Sequence, residues 1–126
     1  MPAVELIARL ALASPFVISG ITKFFDFQMA IREVEEMGLQ PARLLAAAVI
    51  VTQLGGSVLF LTRRFCWLGS GILAGFTIFA TLLAHRFWVF TGLVRIHEMT
   101  TFLEHMTIVG GFIVAAVLIN GLKEVK

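Results

Sequence analysis

Six polar side chains are the candidates for binding or chemistry in this sequence, because each lies within or at the end of an apolar stretch. They are Arg9, Lys23, Gln53, His85, Glu104 and His105. Ionisable groups in apolar spans are costly to bury, which makes them functional candidates by default. Partly buried histidines and carboxylates exchange protons near neutral pH. Side chains of these types can therefore serve proton-coupled redox chemistry.

Arg9 and Lys23 fall on one stripe of the first apolar segment. A helix advances 100° per residue, so Glu5 and Arg9 share this stripe with Lys23. We expect the stripe to face the other helices, and we expect an i,i+4 ion pair between Glu5 and Arg9. Two interpretations of Arg9 are open, a paired structural anchor and a ligand-binding group.

Lys23, His85, Glu104 and His105 are predicted to meet at one end of the protein. Glu104 shares a helical face with small residues and is therefore expected to point inward. His105 is rotated by about 100° from it. These residues form either a proton-exchanging ligand site or a network that only caps the helix ends.

Gln53 lies near the middle of the second apolar segment. An amide at this depth usually forms a hydrogen bond between helices. It can equally hold a quinone carbonyl, so both roles are open.

The histidines do not have the spacing of a metal site. His97-Glu98 and Glu104-His105 do not form an HExxH motif, and their spacing matches no standard zinc pattern. Cys66 is the only cysteine, which excludes a disulfide within one chain and a CxxC pair. No metal site is predicted.

The composition indicates a membrane protein. Of 126 residues, 59% are hydrophobic and 14% are charged, and the mean hydropathy is +0.95. A soluble domain has about a quarter charged residues. Four spans of about twenty residues fill most of the chain. The ten Lys and Arg residues are scattered, so no basic stripe exists for a phosphate backbone and nucleic acid is excluded as a partner.

We therefore predict an all-α membrane protein, a four-transmembrane-helix bundle with a short amphipathic helix at the interface between spans 1 and 2. The predicted spans are residues 3–24, 42–61, 67–88 and 101–120, and the interfacial helix covers residues 27–38. Trp67 and Trp88 mark the two aromatic belts. One domain in the lipid bilayer is expected over residues 1–126. Small residues repeat every four positions on three spans, which predicts close packing within the chain or in a homo-oligomer.

A series of short motifs runs through nearly the whole chain. They are Arg9 in the first span, Ser19-Gly20-Ile21-x-Lys23, Gly38, Gly55-Gly56, His85-Arg86-Phe87-Trp88-x-x-Thr91-Gly92 and Phe102-Leu103-x-x-Met106-Thr107-Ile108-Val109-Gly110-Gly111. Together they resemble the DoxX family of four-helix inner-membrane proteins, named after a subunit associated with thiosulfate:quinone oxidoreductase. Two positions depart from the family pattern: Gln53 replaces a frequent Glu, and Glu104-His105 replaces the usual Lys-Asn.

The resemblance implies a bacterial inner-membrane location and favours one of two functions. The first is a subunit of a membrane redox system that binds a quinone or a membrane-associated redox enzyme near Lys23, His85, Glu104 and His105, with no cofactor of its own evident. The alternative is a structural or assembly protein that docks a soluble partner through the acidic interfacial helix. Proton-coupled transport ranks last, because it needs a carboxylate well inside the bilayer.

The side of the membrane that holds the termini is a testable prediction. Four spans place both termini on the same side as the Arg63-Arg64 turn, which contains no acidic residue. The positive-inside rule then places the termini in the cytoplasm. Alkaline phosphatase, which folds only in the periplasm, should be inactive when fused to the C-terminus, and an active fusion would contradict this orientation.

Overall fold

The protein is a bundle of long helices with a short helix across one end. A computed structural model describes the backbone of residues 2–125 and the side chains of residues 3–120. The α-helices are α1 (Pro2–Phe25), α2 (Phe27–Glu36), α3 (Ala42–Leu61), α4 (Cys66–Ala84) and α5 (Gly92–Val125), with short 3-10 helices at Arg63–Phe65 and Phe87–Val89. The described residues contain no strand. Four helical segments are long and apolar enough to cross a membrane, which confirms the predicted fold class.

The helices pack mainly on their neighbours along the chain. α1 packs on α3, α3 on α4, and α4 on α5, whereas α1 and α5 contact each other little. Phe60, Leu73 and Phe112 are fully buried at the centre of the bundle. The Phe112 ring contacts Phe60 and Phe16 edge to face, with centroids 5.0 Å and 5.5 Å away. This aromatic contact joins α1, α3 and α5.

α3 and α4 approach so closely that one glycine is essential. A Cβ on Gly69 of α4 would collide with the backbone of Phe60 on α3. Gly71 and Gly75, the predicted GxxxG pair on α4, have open space around them instead. The close contact of α4 therefore uses a different face from the one that the GxxxG spacing indicated.

α2 is held across the end of the bundle by its caps and its apolar face. The Asp26 side chain accepts a hydrogen bond from the Met29 backbone N–H at 3.2 Å and caps the start of the helix. Gly38 adopts a positive φ of 76°, and the Leu39 N–H returns to the Val34 carbonyl, as in a Schellman turn. The buried face of α2 packs on the first turns of α3. The short helix between spans 1 and 2 is thus confirmed.

Two helix boundaries in the second half of the chain differ from the bounds of the predicted spans. α4 ends at Ala84, before Trp88, because His85 leaves the helical conformation. α5 begins at Gly92, not at Thr101, and its 34 residues span about 51 Å, more than the hydrocarbon thickness of about 30 Å. The charged residues Arg86, Arg95 and Glu98 predicted a loop between the third and fourth spans. Arg95 and Glu98 instead lie on α5, in the part that extends beyond the hydrocarbon.

The approach of α3 to α4 predicts a specific sensitivity at Gly69. Gly69→Ala should destabilise the bundle by about 1–3 kcal/mol, because the new methyl group must displace the Phe60 backbone. The melting temperature of the purified protein in detergent reports this change. Gly71→Ala is the matched control on the same helix, because its methyl group meets open space. Equal melting temperatures for the two variants would contradict the close approach.

Candidate functional site

A cavity of about 660 Å³ lies among α1, α3, α4 and α5 and is covered by α2. Its size is within the range of about 300–1,000 Å³ that small-molecule sites have. Most of its lining residues are apolar, and a few polar side chains converge on it. Four of the six predicted site residues line it, namely Lys23, Gln53, His85 and His105. The structure therefore brings side chains of α1, α3 and α5 and of the residue that follows α4 to one space.

The cavity reaches the outer surface of the bundle at α3 and α4. Ala48 on α3 and Phe79 on α4 line it and are also exposed on the outer surface of the bundle. Ala48 lies about 10 Å along α3 from its start, within a span long enough to cross the membrane. The opening thus faces the region that lipid surrounds.

Lys23 ties α1 to α2 at the covered end of the cavity. Its Nζ donates a hydrogen bond to Ser19 Oγ at 2.9 Å and lies 3.5 Å from Glu33 Oε2 on α2. Ser19 and Lys23 belong to the predicted stripe of α1, which faces the other helices as expected. The ion pair holds α2 over the cavity and keeps the Lys23 ammonium group on the cavity wall.

Gln53 is buried at the inner end of the cavity. Only 5% of the residue is exposed, and its Oε1 has no hydrogen-bond partner among the described residues. A buried acceptor without a donor costs about 1–3 kcal/mol. The interhelical hydrogen bond that the sequence allowed for this oxygen is therefore absent from the described part of the chain.

The two histidines lie side by side where α4 ends. His85 Nδ1 is 2.7 Å from Glu98 Oε2, and His105 Nδ1 is 3.0 Å from Thr81 Oγ1. The ring centroids are 5.1 Å apart, with the planes at 71°. Neither Glu98 nor Thr81 is among the predicted site residues. Thr81 lies one helical turn before His85, near the end of α4. This spacing places the two side chains on one face and is the feature of the sequence that could have identified Thr81 as a site residue.

Glu104 does not point inward as predicted. Its side chain is exposed and does not line the cavity. The inner face of α5 is instead set by Val109, Phe112 and Ile119, which are buried and share a face with His105. Glu104 is therefore turned about 100° away from that face. The large apolar residues, and not the small ones, determine how α5 is rotated.

Arg9 lies at the opposite end of the bundle from the cavity. The residue is 9% exposed, and its Nη1 donates to the Leu61 carbonyl of α3 at 3.1 Å. Its Nη2 lies 3.5 Å from Glu5 Oε1, which confirms the predicted ion pair, and the same oxygen lies 3.5 Å from Arg63 Nη1. A cation at the last carbonyls of a helix stabilises its C-terminal dipole. Arg9 also borders a separate cavity of about 330 Å³ between α1 and α5.

The remaining polar groups of the described residues form no metal site. Among residues 3–120, no three His, Cys, Asp or Glu side chains come together as a metal site would require. Cys66 is buried, with Sγ 4.0 Å from Ser70 Oγ. The exposed face of α2 carries Arg32, Glu35 and Glu36, and the docking of a soluble partner there stays a prediction.

Comparisons with known proteins agree with the membrane architecture. The DoxX family model matches residues 4–86, about two thirds of the chain. The inner membrane protein YphA of Escherichia coli (strain K12) is 24% identical over 116 residues, which cover 92% of this chain and 83% of the relative. No solved structure matches the chain significantly.

The contacts of Arg9 predict a loss of stability when its guanidinium is removed. Arg9→Met leaves the Leu61 carbonyl without this donor and the Glu5 carboxylate without this neighbouring cation, so unfolding should become easier by about 1–3 kcal/mol. Thermal denaturation in detergent measures the change, with Arg64→Met as the control at an exposed position of the same end. An unchanged melting temperature in Arg9→Met would contradict an anchoring role.

Proposed function

Since the chain belongs to the DoxX family and is a multi-pass protein of the bacterial inner membrane, we propose that it is a quinone-binding subunit of a membrane redox system. The observation that carries the proposal is the cavity, which reaches the outer surface of the bundle at Ala48 on α3 and Phe79 on α4 and bears polar groups on its inner walls. A quinone has a flat head group with two carbonyl acceptors and an apolar tail. Such a molecule fits a site of this shape and polarity.

The polar groups of the cavity are suited to a head group with two oxygens. Lys23 and His105 lie on its walls, and both residue types can donate hydrogen bonds. Gln53 lies farther in, and rotation of its terminal amide would bring either the oxygen or the NH₂ group to a ligand. A ligand hydroxyl would also provide the donor that the buried Gln53 Oε1 lacks. The unsatisfied amide is thus the clearest sign that the cavity accommodates a polar group.

The apolar walls are suited to the rest of the molecule. Pro15, Phe16, Val49 and Ile72 are among the apolar side chains that surround the space. Ala48 and Phe79 flank the opening through which an isoprenoid tail would extend into the bilayer. Transfer of apolar surface from water into such a site favours binding by about 25 cal/mol per Å².

A quinone supplies two-electron transfer in the membrane. In this proposal the electrons come from a partner redox enzyme, while the residues of this chain bind and orient the head group. Lys23 and His105 hold its oxygens, and α2 separates the site from the aqueous phase. The role proposed for this chain is therefore that of a membrane-embedded quinone site serving a partner.

A photoreactive quinone analogue tests the proposal. In lipid nanodiscs, the analogue should label residues that line the cavity, and an unreactive short-chain quinone should compete with it. Ala48→Phe should reduce labelling by roughly tenfold, because a large side chain narrows the opening at α3 and α4. Peptide mass spectrometry of the labelled protein measures both effects.

Val51→Phe is the matched control for Ala48→Phe. Val51 lies on the same helix, is 70% exposed and does not line the cavity. It adds the same aromatic ring to the lipid-facing surface without narrowing the opening. Labelling spread over the outer surface, or labelling that falls equally in both variants, would count against a quinone site in this cavity.

A further inference from the structure

His85 and His105 reach the cavity with their two rings held by different types of partner. The Nδ1 of His85 bonds to the Glu98 carboxylate at 2.7 Å, and the Nδ1 of His105 bonds to the Thr81 hydroxyl at 3.0 Å. Both contacts use Nδ1, which leaves both Nε2 atoms available to a ligand. With ring centroids 5.1 Å apart, one ligand group can contact both rings.

The partner of each Nδ1 determines what the Nε2 atom can do. An ionised carboxylate only accepts hydrogen bonds, so Glu98 keeps the proton of a neutral His85 on Nδ1 and leaves a lone pair on Nε2. The Nε2 of His85 is then an acceptor. The same arrangement orients histidines in many sites where the second ring nitrogen does the binding.

Thr81 has the opposite effect on His105. A threonine hydroxyl in a helix often donates to a backbone carbonyl of the preceding turn, as that of Thr77 does to the Leu73 carbonyl at 2.7 Å. The Thr81 hydroxyl instead bonds to the His105 Nδ1 atom on the neighbouring helix. Thr81 is 1% exposed, and His105 Nδ1 is the hydrogen-bond partner of its hydroxyl among the described residues, so we assign Thr81 as the donor of this bond. The proton of a neutral His105 then lies on Nε2. The two rings then present one acceptor and one donor side by side.

We infer that His85 and His105 select the reduced, hydroxyl-bearing form of the ligand. A hydroxyl both donates and accepts, so it satisfies the two rings together, whereas a carbonyl only accepts and leaves the Nε2 of His85 without a donor. His85 is in this inference a specificity-determining residue for quinol over quinone, and Glu98 is its positioning residue. The inference rests on the proposed quinone function and adds the preferred redox state of the ligand.

The surrounding charges do not provide this selectivity. Lys23 and Glu33 line the same cavity and form an ion pair with each other. Glu104, although next to His105 in sequence, is exposed outside the cavity. The hydrogen bond accepted by His85 and the one donated by His105 are therefore the interactions that distinguish a hydroxyl from a carbonyl.

The affinities of a decyl-substituted benzoquinone and of its quinol test the inference. Both are measured under anaerobic conditions on the full chain in lipid nanodiscs. The wild-type protein should bind the quinol about tenfold more tightly than the quinone, the effect of one hydrogen bond to a well-placed acceptor. His85→Phe should abolish this preference by weakening quinol binding while changing quinone binding little. His97→Phe, at an exposed position of α5, should keep it.

Two substitutions of Glu98 test the positioning role without removing the ring. Glu98→Gln retains an oxygen that accepts from His85 Nδ1 and should keep the preference for quinol. Glu98→Leu removes the acceptor, frees the tautomer and should reduce the preference severalfold. Because the readout is a ratio of two affinities on one protein, general damage to the cavity weakens both forms and leaves the ratio unchanged. If His85→Phe fails to fold, the two Glu98 variants decide whether His85 selects the quinol.

The outcomes separate this inference from the proposal beneath it. Wild-type protein that binds quinone and quinol equally, or a preference that survives in both His85→Phe and Glu98→Leu, overturns the selection by His85 and leaves the quinone site standing. Wild-type protein that binds neither form overturns the quinone function itself, and the inference with it.

Discussion

The cost of leaving a polar group without a partner in hydrocarbon controls how this bundle is arranged. The long polar side chains near the span ends solve this problem by bonding to a different element from their own. Arg9 on α1 bonds to the end of α3, Lys23 on α1 pairs with α2, and His85 after α4 bonds to Glu98 on α5. Each contact satisfies a polar group and also fixes two elements relative to each other. The polar contacts therefore set the alignment of the helices, and the apolar core fills the space between them.

The cavity follows from the size of the residues that face it. At the centre of the bundle, Phe60, Phe112 and Leu73 fill the space completely. Nearer α2, the walls carry small side chains at Ala46, Ala80 and other positions, so the helices cannot fill the gap between them. α2 covers this gap because its apolar face packs on α3 and because Glu33 pairs with Lys23. Small side chains on these walls and the sparse contact between α1 and α5 together leave the volume of the cavity.

Much of the architecture could be predicted from the sequence because it depends on local patterns. The stretch from residue 42 to residue 61 is uniformly apolar between a proline and two arginines, and α3 has these bounds in the structure. The stripe on α1 was also predictable, because helical periodicity alone places Arg9 and Lys23 on one face.

The rotation of α5 was not predictable in this way, since small and large residues lie on different faces of it. Only contact with α4 determined that His105 faces the cavity and Glu104 does not. The partners Glu98 and Thr81 depend on how α4 and α5 cross, which no spacing within one helix reveals.

The distribution of titratable groups argues for proton exchange on one side of the membrane rather than transport across it. Lys23, Glu33, His85 and His105 all line the cavity near the end that α2 covers. Glu5 and Arg9 lie at the other end, and the buried aromatic rings of Phe60 and Phe112 pack between the two groups. Gln53, the deepest polar residue of the cavity, carries an amide that neither gains nor loses a proton at physiological pH. Among residues 3–120, no titratable side chain lies between these histidines and the groups near the other end, Cys66, Arg9 and Glu5, so a proton that enters from the α2 side has no carrier onward from the histidines. This arrangement fits a site that binds and releases protons together with its ligand, and it disfavours a proton-coupled transporter, which needs a carboxylate well inside the bilayer.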